Sequence, residues 1–190
     1  MKRLLACLTL AVTACATHAQ NLPPVSDRPY PGAITLQVDT SDLDRKIFRT
    51  RETLPVRPGP LVLFYPRWLP GTHAPSGNVA ELTGLQIQGA DGRRIEWKRD
   101  TVDVHAFHVD VPAGVTQLEV AFEFVSPLDG MNGRITSTPD MLGLQWDAVV
   151  LYPAGHAARG ITVQPSVTLP AGWQFGGALE VASRSGDTVR

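Results

Sequence analysis

Along most of this chain apolar side chains recur at every second position. "AITLQVD" (33–39) places Ile34, Leu36 and Val38 on one face. "QLEVAFEFV" (117–125) places Leu118, Val120, Phe122 and Phe124 on one face and Glu119 and Glu123 on the other. A period of two is that of a strand with one buried and one wetted face. "LVLFY" (61–65) is a short apolar run, as a buried strand would be. "LTGLQIQ" (82–88) reaches Asp91-Gly92 and then "RIEWKR", which predicts a hairpin. "TVDVHAFHVDV" (101–111) alternates up to the turn "PAG" (112–114). "DAVVLY" (147–152) and "ITVQPSVTL" (161–169) add two more strand-like segments, and Pro165 makes the latter an edge or bulged strand. No stretch beyond the N-terminus carries a helical period with caps. The expected fold is therefore all-β, an antiparallel β-sandwich over residues 32–190. At its C-terminal end "ALEVASRSGDTVR" reads as strand, Ser-Gly-Asp turn and the opening of a further strand, an unfinished hairpin that suggests an incomplete sandwich.

Two segments precede the sandwich. "MKRLLACLTLAVTACATHAQ" has Lys2 and Arg3, an apolar run and Thr17-His18-Ala19, the form of a secretory signal (1–19) cleaved after Ala19. Val12-Thr13-Ala14-Cys15 also fits a bacterial lipobox, with Cys15 lipidated. The expectation is an exported protein, periplasmic or secreted, or else lipid-anchored through Cys15. The run is too short for a transmembrane helix, which needs about 20 apolar residues. Residues 20–31, "QNLPPVSDRPYP", read as an extended Pro-rich leader.

A net charge of -1 gives no electrostatic footprint for nucleic acid. Both cysteines, Cys7 and Cys15, lie in the signal segment, so the domain itself has no disulfide, thiol nucleophile or Cys-based zinc site. His105 and His108 would point to opposite faces of a strand and share no metal readily. His-Glu-x-x-His is absent, as are a Gly-x-Ser-x-Gly elbow and a phosphate-cradling loop. Ser76 and His73 share a loop without any such context.

That loop, "LFYPRWLPGTHAPSGNVAELTGL" (63–85), is the most unusual stretch. Its Trp and prolines suit a rigid corner between two sheets. Trp68, Pro70, Gly71 and His73 are also the candidates for contact with a ligand or a neighbouring domain. Trp68, Trp97, Trp146 and Trp173 could instead supply stacking surfaces or simply fill the core.

The order of the motifs resembles the N-terminal domain of the glycyl-aminopeptidase family of zinc metallopeptidases, metallopeptidase family sixty-one. The residues that carry the resemblance are Trp68-Leu69-Pro70-Gly71, the segment from Gly92 to Trp97, Leu151 to Gly155, and Leu169 to Trp173. It covers about residues 31 to 182. It implies a non-catalytic β-sandwich that packs on, or lines the substrate cleft of, a thermolysin-like catalytic domain in cis. Zinc, its ligands and the water-activating Glu would belong to that domain, so no catalytic, cofactor or metal residue is assigned here. By this resemblance the chain alone would be inactive, and a peptide is the expected substrate of the parent protein. Two other readings stand beside it: a free-standing periplasmic glycan- or peptide-binding module, and an assembly protein that pairs through an edge strand.

Overall fold

The computed structural model describes residues 22–69, 71–128 and 135–190. The signal segment, Cys15 and Pro70 lie outside them. Among the described residues the chain is built of strands and three short 3-10 turns. The strands are β1 (Ala33–Asp42), β2 (Ile47–Pro55), β3 (Gly59–Phe64), β4 (Leu82–Gly89), β5 (Trp97–Arg99), β6 (Ala106–Val111), β7 (Gln117–Val125), β8 (Thr136–Ser137), β9 (Leu142–Gly143), β10 (Tyr152–Pro153), β11 (Thr162–Thr168), β12 (Arg184–Ser185) and β13 (Thr188–Val189). A seven-stranded sheet runs β12-β13-β11-β1-β2-β7-β4, and a four-stranded sheet runs β10-β3-β6-β5. The two are a β-sandwich, as the alternation predicts, with one pairing of a different kind: β1 and β11 are parallel.

The inner positions of β1 and β7 are the expected ones. Ile34, Leu36, Val38, Leu118, Val120, Phe122 and Phe124 are all buried. They face Leu63, Phe107, Val109 and Val111 of the smaller sheet, or the side chains of Ile135, Ala148 and Val149. The wet face carries polar pairs instead, including Arg49 with Glu123 and Gln88 with Glu119.

Five segments depart from the sequence reading. One is 178–183, read as strand but irregular; only Arg184–Ser185 just beyond it pair, with Thr188–Val189. β2 does not stand out in the hydrophobic pattern, because its inner row is Phe48, Thr50, Glu52 and Leu54, half of it polar. Residues 101–105 are not strand: the Asp100 carboxylate accepts the backbone N–H groups of Val102 and Asp103, a side-chain bond that competes with a ladder. Trp146–Val149 is a 3-10 turn rather than the start of a strand, and only Tyr152–Pro153 pair. The Asp91-Gly92 hairpin is present, with Gly92 at φ 77° and Ile95 donating to the Ile87 carbonyl at 2.8 Å. Beyond it the chain leaves β4, and β5 pairs with β6 in the other sheet.

The Pro-rich leader is extended and laid against the domain. Ser26 bonds to Gly155, and Tyr30 is buried, edge-on to His156 with its hydroxyl donating to the Pro55 carbonyl. Burial pushes the Tyr30 phenol up to about 12.

Candidate functional site

The loop 65–78 links β3 of the smaller sheet to β4 of the larger one, through a 3-10 turn at Val79–Glu81. Its shape is fixed by close backbone approach. Trp68 and Pro75 form an isolated bridge, Thr72 closes a turn onto the Leu69 carbonyl, and Gly77 donates to the Arg67 carbonyl. A Cβ at Gly77 would sit 1.8 Å from the Pro66 carbonyl oxygen, so only glycine fits. Gly71 takes φ 83°, the left-handed region that glycine tolerates. Arg67 is held by Asp103 at 2.7 Å, and His105 contacts the Gly77 carbonyl at 3.2 Å. The turn that replaces the expected strand at 101–105 therefore braces the loop from beneath.

Trp68 is 63% exposed. It borders a cavity of about 490 Å³ shared with Tyr65, Leu69, Asp147, Tyr152 and Ile161. Gly71 and His73 do not line it; both are exposed beyond the bridge. Of the four sequence candidates, the structure brings Trp68 to a concavity and leaves Gly71 and His73 apart from it.

The polar groups behind this cavity carry no motif. Glu52 is fully buried, and its Oε1 accepts the Leu151 N–H at 2.6 Å, which ties the larger sheet to the segment entering β10. Its Oε2 has no partner among the described residues. Burial pushes its carboxyl well above the ordinary carboxylate range, against the lowering effect of the Leu151 N–H. Tyr65 donates to the Ala148 carbonyl at 3.0 Å, and its phenol is raised by burial and by the charges of Asp147 and Glu81. Asp147 is raised by burial at the junction of this cavity with a larger one. Glu52 stands beside Arg49 and Arg51 in a charged stretch that reads as a wetted face, so no sequence signal marks it.

His105 and His108 form two separate pairs with aspartates. His108 on β6 meets Asp100 at 2.8 Å, and His105, which precedes β6, lies 3.6 Å from Asp103. Asp100 is held below the usual carboxylate range by the N–H groups of Asp103 and Val102 and then by His108. Among the described residues no three His, Cys, Asp or Glu side chains converge on a point that could hold a metal ion.

Three of the four tryptophans pack. Trp97 donates to the Leu85 carbonyl at 3.1 Å and meets Phe107 edge-on, while Trp146 and Trp173 lie against small apolar clusters. No helix among the described residues is long and apolar enough to cross a membrane.

Fold and loop together define the class: an all-β sandwich whose two sheets are joined by a glycine-locked Trp loop. Residues 35–190 match the Peptidase M61 N-terminal domain, and the chain belongs to that family. Among solved structures, the chain is similar to an aminopeptidase N family protein from Idiomarina loihiensis, at 13% identity and a TM-score of 0.55. The alignment covers 82% of this chain and 26% of that one, so the chain spans about a quarter of that protein's length. It is also similar to an M1 zinc metallopeptidase variant from Deinococcus radiodurans bound to a Tyr-Ser-Ala substrate, at 14% identity, 83% and 36% coverage and a TM-score of 0.32. That second likeness is weak and supports nothing beyond itself. A comparison with the curated proteins found no match.

Proposed function

We propose that this chain is the non-catalytic N-terminal domain of an exported zinc metallo-aminopeptidase of the glycyl-aminopeptidase kind. It packs on a thermolysin-like catalytic domain in cis and walls one side of the peptide cleft. The observation that carries the reading is the family match over 35–190, together with a span of only 26% of the similar aminopeptidase. Zinc and the water-activating base would come from the catalytic domain, because peptide attack by metal-bound water needs both. The loop around Trp68 is the surface offered to that cleft, since it carries an exposed indole beside the Trp68–Pro75 bridge. The form of the first 19 residues supports export.

The test is a peptidase assay of the purified 190-residue chain with added zinc and a panel of aminoacyl and dipeptide substrates. No turnover is expected. Turnover that survives further purification would refute the assignment. The exposure of Trp68 on a cavity keeps a stand-alone peptide- or glycan-binding module as the second reading. Saturable change in tryptophan fluorescence on titration with short peptides or oligosaccharides, lost in Trp68→Ala, would favour that reading instead.

A further inference from the structure

The larger cavity, about 1010 Å³, lies beside the end of β13. One wall is Val163–Val167 of β11, the other is Leu179–Ala182, and Val189 and Arg190 stand at its head. β13 lies between β11 and β12, the strand that follows the second wall. On one side it pairs with β11, Val167 to Val189 and Thr168 to Thr188. On the other it pairs with β12, and Arg190 and Ser183 exchange both backbone hydrogen bonds, at 2.9 and 3.2 Å. The line of β13 therefore runs straight into the cavity.

The walls are prepared for a strand and lack one. Only Val167 and Thr168 of β11 are covered by β13, so Thr162–Ser166 have β1 on one side and no described strand on the other. Leu169 donates to the Asp187 carbonyl at 2.9 Å, which turns the odd-numbered backbone groups of β11 toward β13. Val163 thus aims its N–H and C=O into the slot. Pro165, with no N–H to offer, presents only its carbonyl there, which also explains how a proline is accommodated in this strand. Three large apolar side chains lie exposed at the slot: Val163 at 37%, Leu179 at 51% and Val181 at 52%. Its floor is Leu36, Trp146 and Phe175, continuous with the small cluster of Val167, Leu169 and Val189.

We propose that this slot takes a single β-strand of about four residues that continues β13 beyond Arg190, antiparallel to β11. The length is that of residues 162–165, the part of β11 beyond the position opposite Arg190, roughly 13 Å at about 3.4 Å per residue. The register comes from extending the observed pairs. The first residue beyond Arg190 falls opposite Pro165 and the third opposite Val163. Val189 is buried, so these two share its inner face and contact Trp146 and Phe175. The second and fourth face outward beside Gln164 and Thr162. The occupant is the polypeptide that joins this sandwich to a catalytic domain, a choice that rests on the functional reading above. The same strand would then clamp the joint between the two domains.

The experiment appends four residues to Arg190. One variant carries Val-Thr-Val-Thr, and a second of identical composition carries Thr-Val-Thr-Val. The first is expected to raise Tm and to slow exchange of the Val163 amide about tenfold relative to the unextended chain, with blue-shifted Trp146 emission. The second is expected to do so far less, because its valines face solvent. Equal effects from both, or none from either, would overturn the proposal. An unextended chain that is dimeric by light scattering and becomes monomeric on extension would assign the slot to a second copy and overturn it as well. A longer protein that proved to carry no peptidase domain would defeat the functional reading and leave the extension result standing.

Discussion

Replacing Glu52 by glutamine is expected to remove a loss of stability that sets in as pH rises. Glu52 is enclosed completely, with one oxygen on the Leu151 N–H and the other unpartnered among the described residues. Burial raises its folded-state pKa well above the ordinary value of 4.5. The folded state therefore holds a proton that the unfolded state releases once pH exceeds about 4.5. Its contribution is fully present below that value. It is lost as pH rises toward the folded-state pKa, at about 1.4 kcal/mol per pH unit within that window. Glutamine keeps the Leu151 N–H acceptor and cannot ionise. The variant should match the parent at about pH 4–5 to within about 1 kcal/mol, the size of one net hydrogen bond. It should exceed the parent increasingly as pH rises above about 4.5 toward the folded-state pKa. Urea denaturation followed by tryptophan fluorescence across that range reads the difference. Stability curves for the two proteins that stay parallel as pH rises from about 4.5 would refute the reasoning.

Other consequences are as direct. Gly77→Ala should cost on the order of 1–3 kcal/mol and disorder the Trp68 loop, because its Cβ meets the Pro66 carbonyl; thermal melts and limited proteolysis check it. Gly71→Ala meets no atom and should cost only the left-handed backbone penalty, about 1–2 kcal/mol by the same melts. Trp97→Phe leaves the Leu85 carbonyl without its donor and should lower stability by about 1–3 kcal/mol, measured by denaturant midpoint. Trp68→Ala should change stability by under about 0.5 kcal/mol, since the ring is mostly exposed. In the longer protein the same change should alter peptide preference, and loss of fold stability without that shift would leave Trp68 only a scaffold role. Asp100 is a lowered carboxylate, so its stabilising contribution is present above its ordinary value of 3.8 and is lost as pH falls through its lower folded-state value; Asp100→Ala should flatten that acid limb in urea titrations.

The sandwich is legible wherever alternation carries the burial. Leu118 to Phe124 and Ile34 to Val38 announce their faces in the sequence, and each inner residue is buried as the period of two requires. β2 is not legible, because Thr50 and Glu52 occupy core positions and imitate a wetted face. The run 101–105 alternates in composition, but Asp100 and Asp103 bond the backbone locally and win over strand pairing. Pro165 is legible through its missing N–H, and among the described residues it lies where only β1 pairs with β11. Which sheet a segment joins is a tertiary choice: the Asp91-Gly92 turn is local and visible, whereas the departure of β5 to pair with β6 is not. The site is the least legible part. Trp68 stands out by type, but its cavity partners Tyr65, Asp147 and Tyr152 are brought beside it only by the fold.

The measurement that bears most directly on the central assignment is the coding sequence beyond the Arg190 codon in the source genome. The expected result is an open frame leading into a helix with His-Glu-x-x-His and a downstream Glu, which makes residues 35–190 the accessory domain of a zinc aminopeptidase. A stop codon directly after Arg190 would contradict it and leave a free-standing binding module.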